Sequence, residues 1–282
     1  MRTKQNCKIN VGLKVLNKRT DGYHNLISVF VPVRLYDTLS YRLTSSKIVV
    51  KTKAIPQEKN IVYKTAKLMH EKYDVKKGIH IGIRKRIPIA AGLGGGSADA
   101  AMTIKMLNKM WGLNLSFEEM SKLGEEIGSD VPFFVQNELA VVRGRGEDVE
   151  KLDSSIKLFL LLIKPDFGFQ TKAIFANLPR ETGNENNIDH VITGFRESDL
   201  EKIVANLKND LETGILCDSS KAKVIIKIKN DLIKVGALNS SMSGSGSCVY
   251  GIFKHDNELK TARKLLFKEG YQKRQVYMIS SI

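Results

Sequence analysis

Long apolar runs are missing: the longest, Leu158 to Ile163, has six residues, far short of the roughly 20 that a membrane-crossing helix needs. No span is expected. Cysteine is scarce as well. Cys7, Cys217 and Cys248 are odd in number and far apart, with no C-x-x-C pair and no histidine at metal spacing, so neither a disulfide framework nor a zinc centre is expected. Only 6 prolines interrupt 282 residues, and 42% of the chain is hydrophobic, which excludes disorder for its bulk. Acidic residues are outnumbered, 30 against 45 Lys+Arg, for a net charge of +15. Such a surplus favours an anionic partner: nucleic acid, an anionic membrane surface or a phosphorylated small molecule. The basic residues are scattered, however, and the densest cluster, Arg84-Lys85-Arg86, has no interleaved aromatic ring for base stacking. With no helix-turn-helix, zinc-finger or RNP-type pattern either, a solvated basic surface is the simpler reading, and neither a nucleic-acid nor a membrane partner is expected. Met1 to Asn10 are polar and basic with no apolar stretch behind them, unlike a secretory signal; the expected location is the cytoplasm.

The length, near twice that of a usual domain, suggests two domains sharing one compact body, with the division expected after Leu152: residues 1–152 and 153–282. Ile9, Val11, Leu13 and Val15 alternate with Lys8, Asn10, Gly12 and Lys14, which predicts a half-buried strand. Asn17 to Gly22 is turn chemistry. Leu26 to Val33 predicts a second strand and Leu39 to Leu43 a third, with further strands at Ile48 to Val50 and Ile79 to Ile83. Between those two, Ile61, Thr65, Leu68 and Met69 recur at helical spacing within Asn60 to Tyr73. Strands before helices favour an α+β fold. Pro88 to Ser97 reads as a glycine-dense loop and Ala98 to Met110 as a helix that Gly112 stops. Ser116-Phe117-Glu118-Glu119 is a capping box opening another helix that ends near Gly128. Leu158 to Ile163 predicts a buried strand of the second domain, Val249 to Phe253 another strand, and Pro179 to Asn187 a polar loop.

Five clusters carry chemistry. Pro88-Ile89-Ala90-Ala91-Gly92-Leu93-Gly94-Gly95-Gly96-Ser97-Ala98 packs four glycines into five positions before a helix. Glycines admit positive φ and close backbone approach, and amides at a helix start favour a phosphate. No Gly-Lys-Ser/Thr follows, so this is not a Walker loop. Ser97 has three open roles there: helix cap, phosphate contact or Mg²⁺ ligand. Asp130, in Gly128-Ser129-Asp130-Val131-Pro132, is placed to accept a hydroxyl proton, though Ser-Asp before proline is also ordinary turn chemistry. Lys8 and Asn10 share the polar face of the opening strand, where a lysine is usually solvated. Tyr23 and His24 follow the Asp21-Gly22 turn and offer stacking and hydrogen bonding to a flat polar group. Ser240 to Val249 is a second small-residue loop entering a strand. Two such loops in different halves suggest a cleft that binds ligand.

Taken together and in this order, these clusters resemble the GHMP kinase superfamily. Pro88 to Ala100 is similar to its phosphate loop, and Met242-Ser-Gly-Ser-Gly-Ser-Cys-Val249 to its third motif. Lys8-Ile9-Asn10, Asp21-Gly22-Tyr23-His24 and Gly128-Ser129-Asp130-Val131-Pro132 narrow the likeness to the branch acting on a cytidine diphosphate-linked alcohol on the non-mevalonate route to isoprenoids. The resemblance implies an α+β fold in which an N-terminal unit like domain 2 of ribosomal protein S5 meets a ferredoxin-like C-terminal unit. The first is expected to bind ATP and the second the substrate. It implies an ATP- and Mg²⁺-dependent kinase with Asp130 as catalytic base and Lys8 beside it. Asn10, Tyr23 and His24 are implied to hold the substrate, with Thr171 and Phe175 as further contacts and Asn60 on the adenine side. Ser97 is implied for Mg²⁺, by way of the nucleotide. A homoserine- or mevalonate-type kinase and a non-catalytic sensor on the same fold are the alternatives.

Overall fold

The computed structural model describes residues 1–53, 55–179 and 186–282; most of the expected polar loop Pro179 to Asn187 lies outside them. In chain order the elements are β1 (Arg2–Lys18), β2 (His24–Thr44), β3 (Ile48–Lys51), α1 (Ile61–Lys72), β4 (Gly78–Arg84), α2 (Gly95–Trp111), α3 (Phe117–Ile127), α4 (Val131–Gln136), β5 (Ala140–Gly144), β6 (Asp148–Lys151) and β7 (Phe159–Ile163). They continue with α5 (Thr171–Ala176), α6 (Ile188–Arg196), α7 (Leu200–Ala205), α8 (Leu211–Gly214), α9 (Ser219–Lys234), β8 (Asn239–Met242), β9 (Val249–Phe253), α10 (Asp256–Lys268) and β10 (Val276–Ser280). Among the described residues no helix is long and apolar enough to cross a membrane.

Two units emerge from the packing: Met1–Cys7, Leu35–Pro88 and Gly94–Glu138 form one, and Lys8–Arg34, Ile89–Leu93 and Leu139–Ile282 the other. This grouping cuts across the linear division expected after Leu152, because the long strands β1 and β2 each contribute residues to both units.

In the first unit, Thr38–Thr44 of β2 pairs antiparallel with β4, and β3 lies parallel to β4. Leu39, Tyr41, Val50, Ile79 and Ile81 are buried, as the alternation of a one-sided strand requires. The two strands expected at Leu26 to Val33 and Leu39 to Leu43 are one strand, β2. Asp37 hides the continuity in the sequence, since a charge interrupts the apolar rhythm, yet it is fully buried and hydrogen-bonded. Helix α1 packs on α2 and β3. Its inward stripe is Val62, Thr65, Ala66 and Met69, so Ile61 and Leu68 of the expected stripe lie at its margin. Helix α2 buries Ala100, Ala101, Ile104 and Leu107 and stops at Gly112 in the left-handed region (φ 68°). The capping box opens α3 as expected, with the Glu119 amide donating to Ser116 Oγ and the Ser116 amide to Glu119 Oε2.

In the second unit, Leu26–Phe30 of β2 pairs with β5, and β5 with β6. A separate antiparallel sheet runs β10-β7-β9-β8. Strand β7, an unbroken apolar run, has neighbours on both edges and is buried from Leu160 to Ile163. Helices α9 and α10 cover the sheet through Ile225, Ile228, Leu232, Leu259, Ala262 and Leu266, and Leu13 and Val15 of β1 join that core. Strand β1 departs from its expected half-burial: every residue from Gln5 to Leu13 is buried, polar ones included.

Candidate active site

Along the glycine-dense segment, Ile89–Leu93 belongs to the second unit. Ile89 is exposed, while Ala90 and Gly92 take positive φ (51° and 73°). The segment is strapped to the second small-residue loop: Ser243 Oγ donates to the Gly92 carbonyl (2.9 Å) and the Cys248 amide to the Ala91 carbonyl (3.2 Å). A Cβ on Gly92 would strike the Ser243 carbonyl, so glycine is required for both reasons. The Leu93 carbonyl accepts from the Lys8 amide (3.2 Å).

Pro88 and Gly94–Ala98 belong to the first unit. Gly94 is left-handed (φ 65°), and α2 begins at Gly95, three residues earlier than expected. Glycine is a poor helix former, but at the first positions of a helix its missing side chain leaves the amides uncovered. A Cβ on Gly95 would press on Ile87 at 2.7 Å. The first amides of a helix have no intrahelical acceptor and carry the positive end of its dipole. With no acidic residue in that turn, it suits a polyphosphate.

Lys8, expected on a solvated strand face, is 3% exposed. Its Nζ donates to Asn10 Oδ1 (2.5 Å) and lies 4.0 Å from the centre of the Phe30 ring. Asn10 is fixed from every side: Nδ2 donates to Ser28 Oγ (3.0 Å), its amide to Ser243 Oγ (3.2 Å), and its carbonyl accepts from the Tyr250 hydroxyl (2.7 Å). Asp130, in the first unit, sits half-buried between α3 and α4, followed by buried Val131, Phe133 and Phe134. Its side chain does not cap α4.

Tyr23 and His24 differ in setting. Tyr23 is 56% exposed, its amide held by Asp21 Oδ1 (3.1 Å) and its ring faced by the Arg145 guanidinium at 5.4 Å. His24 stacks on Phe175 with centroids 5.2 Å apart and planes 22° apart. Burial, then the charge of Lys18, holds its imidazole below the ordinary 6.5. Thr171 Oγ1 is 2.9 Å from Ser245 Oγ. Asn60 caps α1, Oδ1 accepting from the Val62 amide (2.9 Å), and its buried Nδ2 has no partner among the described residues.

Family models for the GHMP kinases N-terminal domain and the GHMP kinases C-terminal region match residues 60–138 and 191–272. A 4-diphosphocytidyl-2-C-methyl-D-erythritol kinase of Thermodesulfovibrio yellowstonii is 41% identical over 94% of this chain and 93% of its own. One of Thermoanaerobacter pseudethanolicus is 40% identical over 96% and 93%. The chain belongs to the 4-diphosphocytidyl-2-C-methyl-D-erythritol kinase family. A crystal structure of a kinase of that name superimposes over 100% of both chains with a TM-score of 0.84 at 25% identity, and the α+β architecture expected from the motifs is the GHMP kinase fold.

Membership of this kinase family implies ATP as phosphoryl donor. The glycine turn fits it, since the first turn of α2 carries no acidic residue and Gly94, Gly95 and Gly96 have no side chains. Among the described residues no cluster of three or more His, Cys, Asp or Glu could hold a metal ion.

Several residues packed beside these segments were not singled out by the sequence. Ser243 and Ser245 lie inside the second small-residue loop, but nothing distinguished them from their neighbours. Asp37, Lys85 and Asp99 form a buried charge cluster in which Lys85 Nζ meets Asp37 Oδ2 and, at 2.9 Å, Asp99 Oδ2. Burial pushes the Asp99 carboxyl up to about 7 against the pull of Lys85. Burial works to lower Lys85, but Asp99 and Asp37 outweigh it and hold the ammonium above the ordinary lysine value.

Proposed function

We propose that this chain transfers the γ-phosphoryl group of ATP to the 2-hydroxyl of 4-diphosphocytidyl-2-C-methyl-D-erythritol, in the cytoplasm. The full-length likeness to kinases bearing that name carries the reading. The nucleotide supplies the phosphoryl group and Mg²⁺ would neutralise its phosphates, with the amides of Gly94–Ser97 and the Ser97 hydroxyl as their holders on the protein. Such transfer is catalysed chiefly by positioning and charge stabilisation. Asp130 takes the hydroxyl proton on a carboxylate oxygen. Lys8, its ammonium aimed by Asn10, stabilises the negative charge that grows on the attacking oxygen. His24 and Phe175, already stacked, offer flat faces to the cytosine and His24 its ring nitrogens, with Tyr23, Asn10 and Thr171 around it, while Asn60 offers its Nδ2 on the adenine side.

The test is ADP release from Mg·ATP with 4-diphosphocytidyl-2-C-methyl-D-erythritol, run beside homoserine, mevalonate and no acceptor. Turnover with the cytidine-bearing alcohol alone is expected. Turnover with another acceptor refutes the substrate, and silence with all of them refutes the enzyme.

A further inference from the structure

The first unit buries three charges on three different stretches. Asp37 lies in β2, Lys85 just beyond β4, and Asp99 is the fifth residue of α2; their side chains are 0%, 13% and 3% exposed. Lys85 bridges the two carboxylates. The second oxygen of Asp37 accepts from the amides of Arg86 (2.5 Å) and Ile87 (2.9 Å), the last two before Pro88. The cluster therefore ties the residues that lead into the glycine turn to the helix that leads out of it.

Cohesion alone gives no reason for charges here. Apolar residues of the same volume often replace a buried ion pair at no loss of stability, and α2 already packs through Ala100, Ala101, Ile104 and Leu107. Charge-assisted hydrogen bonds add short, directional restraint that apolar contact lacks. The restraint falls where direction matters: Lys85 Nζ is 3.5 Å from the place a Cβ on Gly95 would take, at the first residue of α2.

We propose that Asp37, Lys85 and Asp99 are positioning residues for the nucleotide, holding the amides of Gly94–Ser97 in the orientation that receives the phosphates of ATP. The inference rests on the kinase reading. Asp37 is wholly buried and cannot touch a ligand, so it separates positioning from direct contact. Asp37→Asn keeps an acceptor for the two amides but turns an NH₂ toward the Lys85 ammonium. Misplacing a binding group by about 1 Å can cost ~10²-fold. KM and calorimetric Kd for ATP are expected to rise about tenfold to hundredfold, with KM for the acceptor alcohol unchanged. Lys85→Arg, which can still bridge both carboxylates, is expected to keep near wild-type ATP affinity. Should Asp37→Asn fail to fold, the triple variant Asp37→Asn/Lys85→Met/Asp99→Leu, which removes all three charges and keeps an acceptor for the Arg86 and Ile87 amides, decides by the same readout. ATP affinity equal to wild type in folded Asp37→Asn, or in the folded triple variant, overturns the proposal, whatever the melting temperature. A wild-type chain that binds ATP but phosphorylates nothing refutes the kinase reading, and the calorimetric comparison still decides this one.

Discussion

Asn10 shows how much one carboxamide can organise. It accepts from the Lys8 ammonium and donates to Ser28, so the charge is held in one direction within a buried strand. The alternating pattern marked Lys8 as surface, because periodicity records polarity and not whether a second layer covers the polar face. The motif, not the rhythm, singled it out as a candidate. For Asp130 the expected outcome of Asp130→Asn is a fall in turnover of ~10²–10⁴ with KM for ATP nearly unchanged, read by steady-state kinetics; full activity would remove its role as base. His24 makes a separate prediction. Above pH 6.5 its ring is neutral whether the chain is folded or not; as pH falls through 6.5 the unfolded chain takes the proton first, since the folded value is depressed. Its contribution to stability is thus complete above 6.5 and fades below it. Histidine NMR should give a midpoint under 6.5 that moves upward in Phe175→Ala, and a wild-type midpoint at or above 6.5 contradicts the account.

Among the elements, the glycine turn is the most demanding. Gly92→Ala combines a left-handed backbone, costing about 1–2 kcal/mol, with a Cβ driven at the Ser243 carbonyl. Gly112, also left-handed (φ 68°), has nothing within 4 Å of its would-be Cβ, so Gly112→Ala isolates the backbone cost. Thermal unfolding should show Gly92→Ala destabilised well beyond Gly112→Ala, with weaker ATP binding in the former only; equal losses would mean that the strap to Ser243 is unimportant. Element boundaries were legible where local chemistry sets them, as at the Ser116 capping box and the Gly112 stop. They were not legible at Asp37, where a buried carboxylate satisfied by backbone amides distant in sequence lets one strand pass for two. Nor was the start of α2 at Gly95, since propensity argues against glycine in a helix and the close approach of Ile87, which leaves Gly95 no room for a side chain, is a tertiary contact.

For the molecule as a whole, the order of the motifs revealed the family, while composition and periodicity yielded only a mixed α and β chain with a large core. The grouping of residues 8–34 with the C-terminal half could not be read off, because contacts such as Tyr250 to Asn10 join side chains 240 positions apart. The two units share another trait. Each buries a cysteine, Cys7 in the first and Cys248 in the second, both at 0% exposure, and burial pushes the Cys248 thiol up to about 12. A thiol so enclosed and so reluctant to ionise is inert until its surroundings open. In a Cys217→Ser background, a disulfide reagent should label neither site quickly in the native chain, and mass spectrometry of the two peptides would time the opening of each unit separately. Added ATP should slow the Cys7 clock if the nucleotide braces the first unit, and equal rates with and without it would show that it does not. The chain thus carries two internal chronometers of its own breathing, one to a unit.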